Sequence, residues 1–442
     1  MEGLGHRLPQ MSCPPPGPAS AQWVETLART ECPAFTTRRA RRAERSGAPR
    51  DPIVWVEARG ANVVDADGNI YVDLTGGFGA AAVGHAHPRI VEAVERQART
   101  LPHALGDVYP SDVKVRLLER LASLAPWSDA RVILGLNGAD AVEAALKTAL
   151  LATGRPGVLA FHGGYHGLAH GPLAACGYGD AFRRPFLEQL NPHVTFAPFP
   201  DGGEVGAAID RVRAAWPERD PGLVIVEPIQ GRGGVVVPPA GFLAELAELC
   251  RDRGALLVAD EVLVGLGRCG SLWRSVADGC VPDLLCAGKA LGGGYPVSAC
   301  LGRAEVMAAW GDPAGEAIHT GTFFGHPVGC AAALAALDIV EEEDLAARAS
   351  ASGEHVRHRL EDLSERSPRL GRVRGEGLLI GLELGASEVT LRVQHELLTR
   401  GYLVLPAGPS AEVLQISPPL MVDLPLLDGF VDSLASILGE VG

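Results

Sequence analysis

Five short apolar runs, separated by helix-like segments, constrain the fold of this chain more than any other feature. The runs lie at residues 132–134, 158–160, 223–226, 255–259 and 284–287, and stretches of helical periodicity lie at 139–152, 203–216 and 241–253. Runs that are apolar throughout are typical of strands buried on both faces, and their alternation with helices indicates crossover connections. The pattern predicts an α/β domain with a mostly parallel sheet covered by helices.

The flanking segments predict a smaller α+β domain built from both ends of the chain. Residues 53–74 alternate in polarity around a turn at 65–69, as paired strands do. Helices are expected at 88–100 and 111–124, with Ser111 as the N-cap of the second. After residue 325 an alternating stretch at 372–384 lies among expected helices at 327–343, 344–365, 387–400 and 424–439.

These patterns divide the chain into four parts. Residues 1–50 are expected to form a mobile tail and an N-terminal helix, because the first twenty are rich in proline and small residues. Residues 51–84 form the N-terminal part of the small domain, 85–325 the large domain, and 326–442 the C-terminal part of the small domain.

Composition excludes several classes of function. The chain has 442 residues, of which 47% are hydrophobic, and a formal net charge of −14, which argues against a nucleic-acid coat or a membrane-surface protein. Its nine cysteines are scattered and form no C-x-x-C pair, as expected for reduced thiols in the cytoplasm rather than disulfides or a metal site. No apolar run is long enough for a membrane span, and no signal-peptide pattern opens the chain.

Only three lysines are present among the 39 basic residues, so each one is informative. Lys147 lies four residues after Glu143 on an expected helix, which is ordinary surface pairing. Lys114 lies in the first turn of another helix. Lys289 instead follows a buried strand and enters a glycine-rich turn, where a partly desolvated amine becomes a nucleophile.

The apolar strand before the one that leads to Lys289, at residues 255–259, ends at a carboxylate, Asp260. Ligands of open α/β sheets bind at the carboxyl ends of strands, so both side chains are expected to face one crevice. Pyridoxal phosphate requires such a pair: an amine for its aldehyde and a carboxylate that keeps its ring nitrogen protonated. The strand-to-helix turn around Gly138 suits its phosphate, and Tyr165 follows another strand end and is placed to stack on its ring.

Two glycine-containing segments resemble binding motifs for other ligands, but neither matches its motif well. Residues 265–270 match the dinucleotide fingerprint G-x-G-x-x-G, which keeps a nicotinamide-dependent oxidoreductase as a remote alternative. The match is weak, because the preceding strand ends five residues earlier and no clear crossover helix follows. Gly288-Lys289 lacks the Ser or Thr and the first glycine of a phosphate-binding P-loop.

Over roughly residues 50–440 the chain resembles the class III (ornithine/4-aminobutyrate type) aminotransferases, pyridoxal-phosphate enzymes of fold type I. The motifs that carry the resemblance are Asp67-Gly68-Asn69 with Tyr71-Val72-Asp73, Gly84-His85-Ala86-His87-Pro88, Asn137-Gly138-Ala139-Asp140-Ala141, Tyr165-His166-Gly167, Val226-Glu227-Pro228-Ile229-Gln230-Gly231, Asp260-Glu261-Val262, Lys289, and Gly321-Thr322-Phe323-Phe324-Gly325-His326-Pro327.

The resemblance implies a role for each of seven residues around pyridoxal 5'-phosphate. Lys289 binds the aldehyde and shuttles the substrate proton, Asp260 pairs with the ring nitrogen, Val262 packs under the ring, Tyr165 stacks over it, Gly138 and Ala139 hold the phosphate, and Thr322 reaches the phosphate from a second subunit. The last role implies a homodimer with a shared active site.

Departures from the family pattern bear on the substrate. Leu168 and Gln415 stand where the family usually has carboxylate-binding arginines, which leaves Glu227 without its expected partner. Phe78 occupies a substrate-pocket position often held by Tyr or Ile, and Leu263 replaces a Gln. Since a bidentate Arg–carboxylate contact is a strong one, the losses predict a neutral or cationic amine donor rather than 4-aminobutyrate or ornithine. Glu227 is then a candidate partner for a substrate ammonium.

The predicted function is therefore ping-pong transfer of an amino group from an amine donor to an oxo acid or aldehyde. An amino-acid epimerase or aminomutase on the same fold is the main alternative, and a binding protein that has lost catalysis is less favoured because Lys289 and Asp260 are both present. Arg183, Arg184 and Arg374 are weak candidates for replacing the missing arginines.

Overall fold

The computed structural model describes residues 3–47, 52–311 and 316–440. The helices are α1 (Pro18–Thr30), α2 (Pro33–Ser46), α3 (Pro88–Thr100), α4 (Asp112–Leu124), α5 (Gly138–Thr153), α6 (His170–Ala174), α7 (Asp180–Arg183), α8 (Val205–Ala215), α9 (Phe242–Arg253), α10 (Arg274–Ala277), α11 (Ala304–Met307), α12 (Pro327–Glu342), α13 (Leu345–Arg366), α14 (Ser387–Thr399) and α15 (Leu424–Glu440). Short 3₁₀ helices lie at Arg184–Gln189, Lys289–Gly292 and Ala308–Gly311.

The strands form three sheets. They are β1 (Trp55–Arg59), β2 (Asn62–Asp65), β3 (Ile70–Asp73), β4 (Ala130–Gly135), β5 (Val158–Phe161), β6 (Val194–Ala197), β7 (Leu223–Val226), β8 (Leu256–Asp260), β9 (Leu284–Ala287), β10 (Ser298–Arg303), β11 (Val373–Glu376), β12 (Leu379–Glu383), β13 (Tyr402–Leu403), β14 (Leu405–Ala407) and β15 (Val413–Ile416).

The large sheet has seven strands in the order β4-β10-β9-β8-β7-β5-β6. Strands β9, β8, β7, β5 and β6 pair in parallel, while β10 runs antiparallel to both β4 and β9. The mostly parallel sheet predicted from the apolar runs is confirmed. Strand β6 and the antiparallel strand β10 were not predicted from the sequence.

Both faces of this sheet are covered, which explains why its strands are apolar throughout. On β7, Leu223 and Ile225 pack in a core with the alanine-rich face of α5. The alternate residues, Val224 and Val226, pack in a second core with α8 and α9. Because successive side chains of a strand point to opposite faces, each face receives an unbroken apolar layer.

The two smaller sheets join distant parts of the sequence. One has the order β1-β2-β3-β13, so that the N-terminal strands pair with residues 402–403. The other is antiparallel, in the order β11-β12-β15-β14. A smaller α+β part next to the large sheet is therefore present, as predicted. The domain boundaries at 84/85 and 325/326 stay predictions.

The first residues of the chain do not form the detached tail that their composition suggested. Gln10 pairs with Ile70 of β3 through two backbone hydrogen bonds, and Leu4 packs in a small core with Val64 and Ile70. The cause is the buried side chain of Asn62, which accepts the N–H groups of Gly5 and Arg7 at 2.8 and 2.9 Å. Residues 1, 2 and 48–50 of the predicted tail lie outside the described residues.

The G-x-G-x-x-G segment does not open a helix. It forms a loop that packs against the C-terminal part of the chain, where the buried Arg268 guanidinium donates to the carbonyls of Leu378 and Pro418. The only helix close behind it is the four-residue α10. A dinucleotide site therefore has no structural support here. Separately, none of the described helices has the length and apolarity needed to cross a lipid bilayer.

Asn62 offers a test of how the N-terminal segment is held. Asn62→Ala removes an amide that bonds four backbone groups, those of Gly5, Arg7 (twice) and Tyr71. We expect it to lower the free energy of unfolding by about 2–4 kcal/mol and to speed proteolysis within residues 3–16. Asn191→Ala, at an exposed asparagine, should change both far less. Equal effects of the two substitutions in denaturation and limited proteolysis would contradict this docking.

Candidate active site

Four parallel strands bring the predicted site residues to one edge of the large sheet. Asp260 is the last residue of β8, Glu227 directly follows β7, Lys289 is the second residue after β9, and Tyr165 is the fourth after β5. These strands are consecutive in the order β9-β8-β7-β5 and parallel, so their carboxyl ends coincide. The crevice expected at the carboxyl ends of an open α/β sheet lies here.

A buried hydrogen bond between Asp260 and His166 fixes the carboxylate of the site. His166 Nδ1 lies 2.7 Å from Asp260 Oδ2, and the N–H of Val262 donates to Asp260 Oδ1 at 3.1 Å. Burial lowers the pKa of His166, but its hydrogen bond to Asp260 and the charges of Asp260 and Glu227 outweigh this and raise it. The shift favours the protonated form of the His166 imidazole beside Asp260 at the end of β8.

Lys289 presents its amine from a strained backbone position. Its φ is +41°, in the left-handed region that costs a non-glycine residue on the order of 1 kcal/mol or more and is common at functional sites. Burial lowers the pKa of the half-buried Lys289, although Asp260 and Glu227 raise it, and the nearby positive charge of Arg232 lowers it further. A larger share of the neutral, nucleophilic amine results.

The N-terminus of α5 forms a cradle beside Lys289. Asn137 and Asp140 cap the helix reciprocally, which leaves the N–H groups of Gly138 and Ala139 without an acceptor among the described residues. A Cβ on Gly138 would lie 2.8 Å from Val262 Cγ1, so only glycine allows this close approach. Free N–H groups at the start of a long helix are an anion site.

Tyr165 is tied to the same cluster through its backbone. Its N–H donates to Glu227 Oε1 at 2.7 Å, and the loop continues to Gly167, where a Cβ would meet Ala139 at 2.8 Å. The Tyr165 loop therefore lies directly against the cradle. Glu227 accepts this hydrogen bond and lies close enough to Asp260 and His166 for their charges to act on it. Glu227 and Asp260 are thus the two acids of the site.

The residues present fit pyridoxal phosphate. The site combines a single amine, a buried carboxylate at the adjoining strand end, and free backbone N–H groups at a helix N-terminus. In addition, His166 Nε2 is buried without a hydrogen-bond partner among the described residues, so the imidazole bonds Asp260 alone.

Other predicted residues lie at the margin of this cluster or away from it. Leu168 is exposed just beyond Gly167, and Gln415 is buried on β15 opposite Gly381 of β12. Phe78, 67% exposed and with φ of +61°, lines a cavity of about 490 Å³ between α2 and α14. Thr322 is exposed, on a segment whose neighbours Thr320 and Gly321 lie close to α4 and β4, and makes no hydrogen bond to the cradle of its own chain.

The arginines suggested by the sequence are engaged elsewhere or exposed. Arg183 pairs with Asp180 at 2.6 Å, Arg374 pairs with Asp201 at 3.3 Å, and Arg184 is exposed. Two functional candidates, His166 and Arg232, were not identified from the sequence. His166 stands in a motif already noted, next to Tyr165. Arg232 is the only basic residue in the segment that follows β7.

A family model described as "Aminotransferase class-III" matches residues 45–438. The chain belongs to this family, whose fold is the fold type I of pyridoxal-phosphate enzymes and whose cofactor is pyridoxal phosphate.

Three relatives illustrate its range. The chain is 40% identical to the acetylornithine aminotransferase of Mycobacterium tuberculosis, covering 88% of this chain and 92% of that one. It is 32% identical to the alanine/serine racemase of Pyrococcus horikoshii, covering 96% and 91%. Among solved structures, it resembles the pyridoxal-phosphate-bound amine transaminase of an uncultivated Pseudomonas species, with 31% identity, a TM-score of 0.80, and coverage of 88% and 95%.

Glu227 makes the pH dependence of the cluster testable. Burial raises the pKa of Glu227 from 4.5 to about 7, so the folded protein keeps a proton that the unfolded chain releases. The resulting stabilisation is complete below the ordinary pKa and is lost as the pH rises through about 7. We therefore expect the Tm of Glu227→Gln minus that of the wild type to increase from about pH 5 to about pH 8.

Thermal denaturation of the protein with cofactor removed measures this difference. Glu248→Gln, at an exposed position of α9, is the matched control for the loss of one carboxyl group. A pH-independent difference for Glu227→Gln would show that the buried carboxyl titrates normally.

Proposed function

We propose that this chain catalyses ping-pong transfer of an amino group, with Lys289 as the catalytic residue. The observation that carries the proposal is the convergence of the Lys289 amine, the Asp260–His166 pair and the free N–H groups of α5 at one sheet edge. When bound, pyridoxal phosphate supplies an aldehyde that condenses with amines and a protonated ring that accepts electrons.

Each residue then has a physical task. The Lys289 amine holds the cofactor and, once a substrate amine has displaced it, takes and returns the proton at the substrate carbon. Asp260 keeps the ring nitrogen protonated, and His166 is a positioning residue that orients Asp260 and balances its charge. Val262 supports one face of the ring and Tyr165 the other.

The phosphate is proposed to bind the N–H groups of Gly138 and Ala139. The cap formed by Asn137 and Asp140 already satisfies the neighbouring N–H groups, so these two remain for the ligand. Thr322 is proposed to complete the phosphate site of a partner subunit in a homodimer.

Exposed apolar side chains support this dimer. Leu105, Val108 and Tyr109 precede α4, and Phe323, beside Thr322, contacts His103 with ring centroids 5.5 Å apart. A contiguous exposed apolar patch is typical of an interface with another protein. The free state of the described cysteines supports a cytoplasmic location.

For the donor, we propose a neutral or cationic amine rather than 4-aminobutyrate or ornithine. The support is the replacement of two carboxylate-binding arginines by Leu168 and Gln415, since the loss of both guanidinium groups removes two strong contacts for a donor carboxylate. Relatives named acetylornithine aminotransferases are 40% identical to this chain, so acetylornithine is the donor with which other amines are to be compared.

A racemase or epimerase is the second candidate. The alanine/serine racemase relative, which matches 96% of this chain, is the observation that favours it. A racemase needs no oxo acid and leaves the cofactor unchanged after each turnover, whereas an aminotransferase leaves the amino group on the cofactor.

A panel of amine donors, assayed without an oxo acid, tests both the proposed donor class and the choice between aminotransferase and racemase. We expect neutral amines and diamines to bleach the absorption band of the bound cofactor, with kcat/KM at least about tenfold above that of 4-aminobutyrate or ornithine, because no arginine at positions 168 or 415 rewards a carboxylate. Stopped-flow absorbance measures each rate. If 4-aminobutyrate or ornithine is the best donor, the substrate proposal is wrong, and racemisation of alanine or serine without bleaching would favour the second candidate.

A further inference from the structure

Arg232 lies against three aromatic rings at the edge of the candidate site. Its guanidinium carbon is 4.6 Å from the centroid of the Tyr165 ring, 5.0 Å from that of Tyr178 and 6.0 Å from that of Phe182. Rings at these distances hold a guanidinium by cation–π attraction without consuming its N–H donors. The side chain is therefore held in place with donors left for a ligand.

The backbone around Arg232 is fixed as well. Its carbonyl accepts the N–H of Gly408 at 3.0 Å, and the hydroxyl of Tyr178 donates to the Gly408 carbonyl at 3.0 Å. One residue thus ties both Arg232 and one of its stacking rings to the C-terminal part of the chain. A guanidinium anchored in this way loses little freedom when it binds an anion.

No acid among the described residues forms an ion pair with Arg232, and its Nε is buried without an acceptor. Glu412, which packs on Gly408, instead accepts the N–H of Ser410 at 2.8 Å. Positive charge accumulates here: burial lowers the pKa of Arg42 on α2, and the charges of Arg38 and Arg232 lower it further. Arg232 therefore places a positive charge beside Tyr165 that no ion pair with a described acid neutralises.

We propose that Arg232 binds the carboxylate of an oxo-acid acceptor. The assignment rests on the proposed aminotransferase function, and it supplies the carboxylate contact that Leu168 and Gln415 do not. Arg232 reaches the site from the Tyr165 side, and Arg42, which also lines the cavity next to Phe78, adds long-range attraction for an anion. A neutral aldehyde acceptor has no group for Arg232 to bind.

The test compares acceptors in the second half-reaction, in which the acceptor takes the amino group. It starts from enzyme whose bound cofactor has already received that group from a neutral amine. For Arg232→Gln we expect kcat/KM for a dicarboxylic oxo acid such as 2-oxoglutarate to fall about 10- to 100-fold, mainly through KM, because a charged hydrogen bond is lost. The rate with a neutral aldehyde should change less than about twofold. Arg232→Lys, which keeps the charge but not the bidentate geometry, should be intermediate.

Arg183→Gln is the matched control. Arg183 also lies over an aromatic ring, 4.3 Å from the Phe196 centroid, but it is paired with Asp180. Its substitution should leave unchanged the ratio of kcat/KM for the oxo acid to kcat/KM for the neutral aldehyde. An unchanged oxo-acid KM in Arg232→Gln, or an equal loss with both acceptors in Arg232→Gln and Arg232→Lys, would overturn the proposal.

A binding measurement separates this proposal from the proposed function. Calorimetry with glutarate, which carries carboxylates but neither an amine nor an oxo group, reports the anion site in the holoenzyme without turnover. Glutarate binding by the wild type that is lost in Arg232→Gln supports the site even if no amine is transferred, in which case only the proposed function fails. Equal binding by both proteins, or none by the wild type, contradicts it.

Discussion

The site depends on one buried interaction, the hydrogen bond between Asp260 and His166. A carboxylate at the end of a central strand is costly to bury unless it is paired, and here the His166 imidazole at 2.7 Å and the N–H of Val262 satisfy it. The pairing keeps a negative charge directly beside the strand that leads to Lys289. That charge partly offsets the burial that lowers the pKa of Lys289. The interactions that stabilise the buried Asp260 carboxylate therefore also influence the protonation of the Lys289 amine.

The rest of the large sheet places groups around this pair. Helix α5 follows β4 and aims two free N–H groups at the crevice, and the absence of a side chain at Gly138 lets Val262 approach the helix start. The loop after β5 carries His166 to Asp260 and Tyr165 to Glu227 in consecutive residues. Membership of the class III aminotransferases agrees with this arrangement. The roles proposed for Leu168, Gln415 and Arg232 would give the substrate side a charge distribution of its own.

Much of the fold was readable from the sequence because its signals are local. The apolar runs predicted β7, β8 and β9, and the strand-end positions of Asp260 and Lys289 followed from them. Strand β10 was missed because its sequence, Ser-Ala-Cys-Leu-Gly-Arg, has little β character and its place between β4 and β9 depends on distant partners. Docking of the first residues depends on Asn62. The partner of His166, Asp260, lies 94 residues away, and the rings around Arg232 belong to the separate segment that follows β5. No local pattern encodes such contacts.

The central claim is that Lys289 is the residue that binds the cofactor, and covalent trapping tests it most directly. Reduction of the cofactor-loaded enzyme with sodium borohydride fixes any bond between a lysine amine and pyridoxal phosphate, and peptide mass spectrometry then locates it among only three lysines. The added mass is expected on Lys289 alone and should be lost in Lys289→Ala. Modification of Lys114 or Lys147 instead, or a bound cofactor that reduction leaves unattached to the protein, would contradict it.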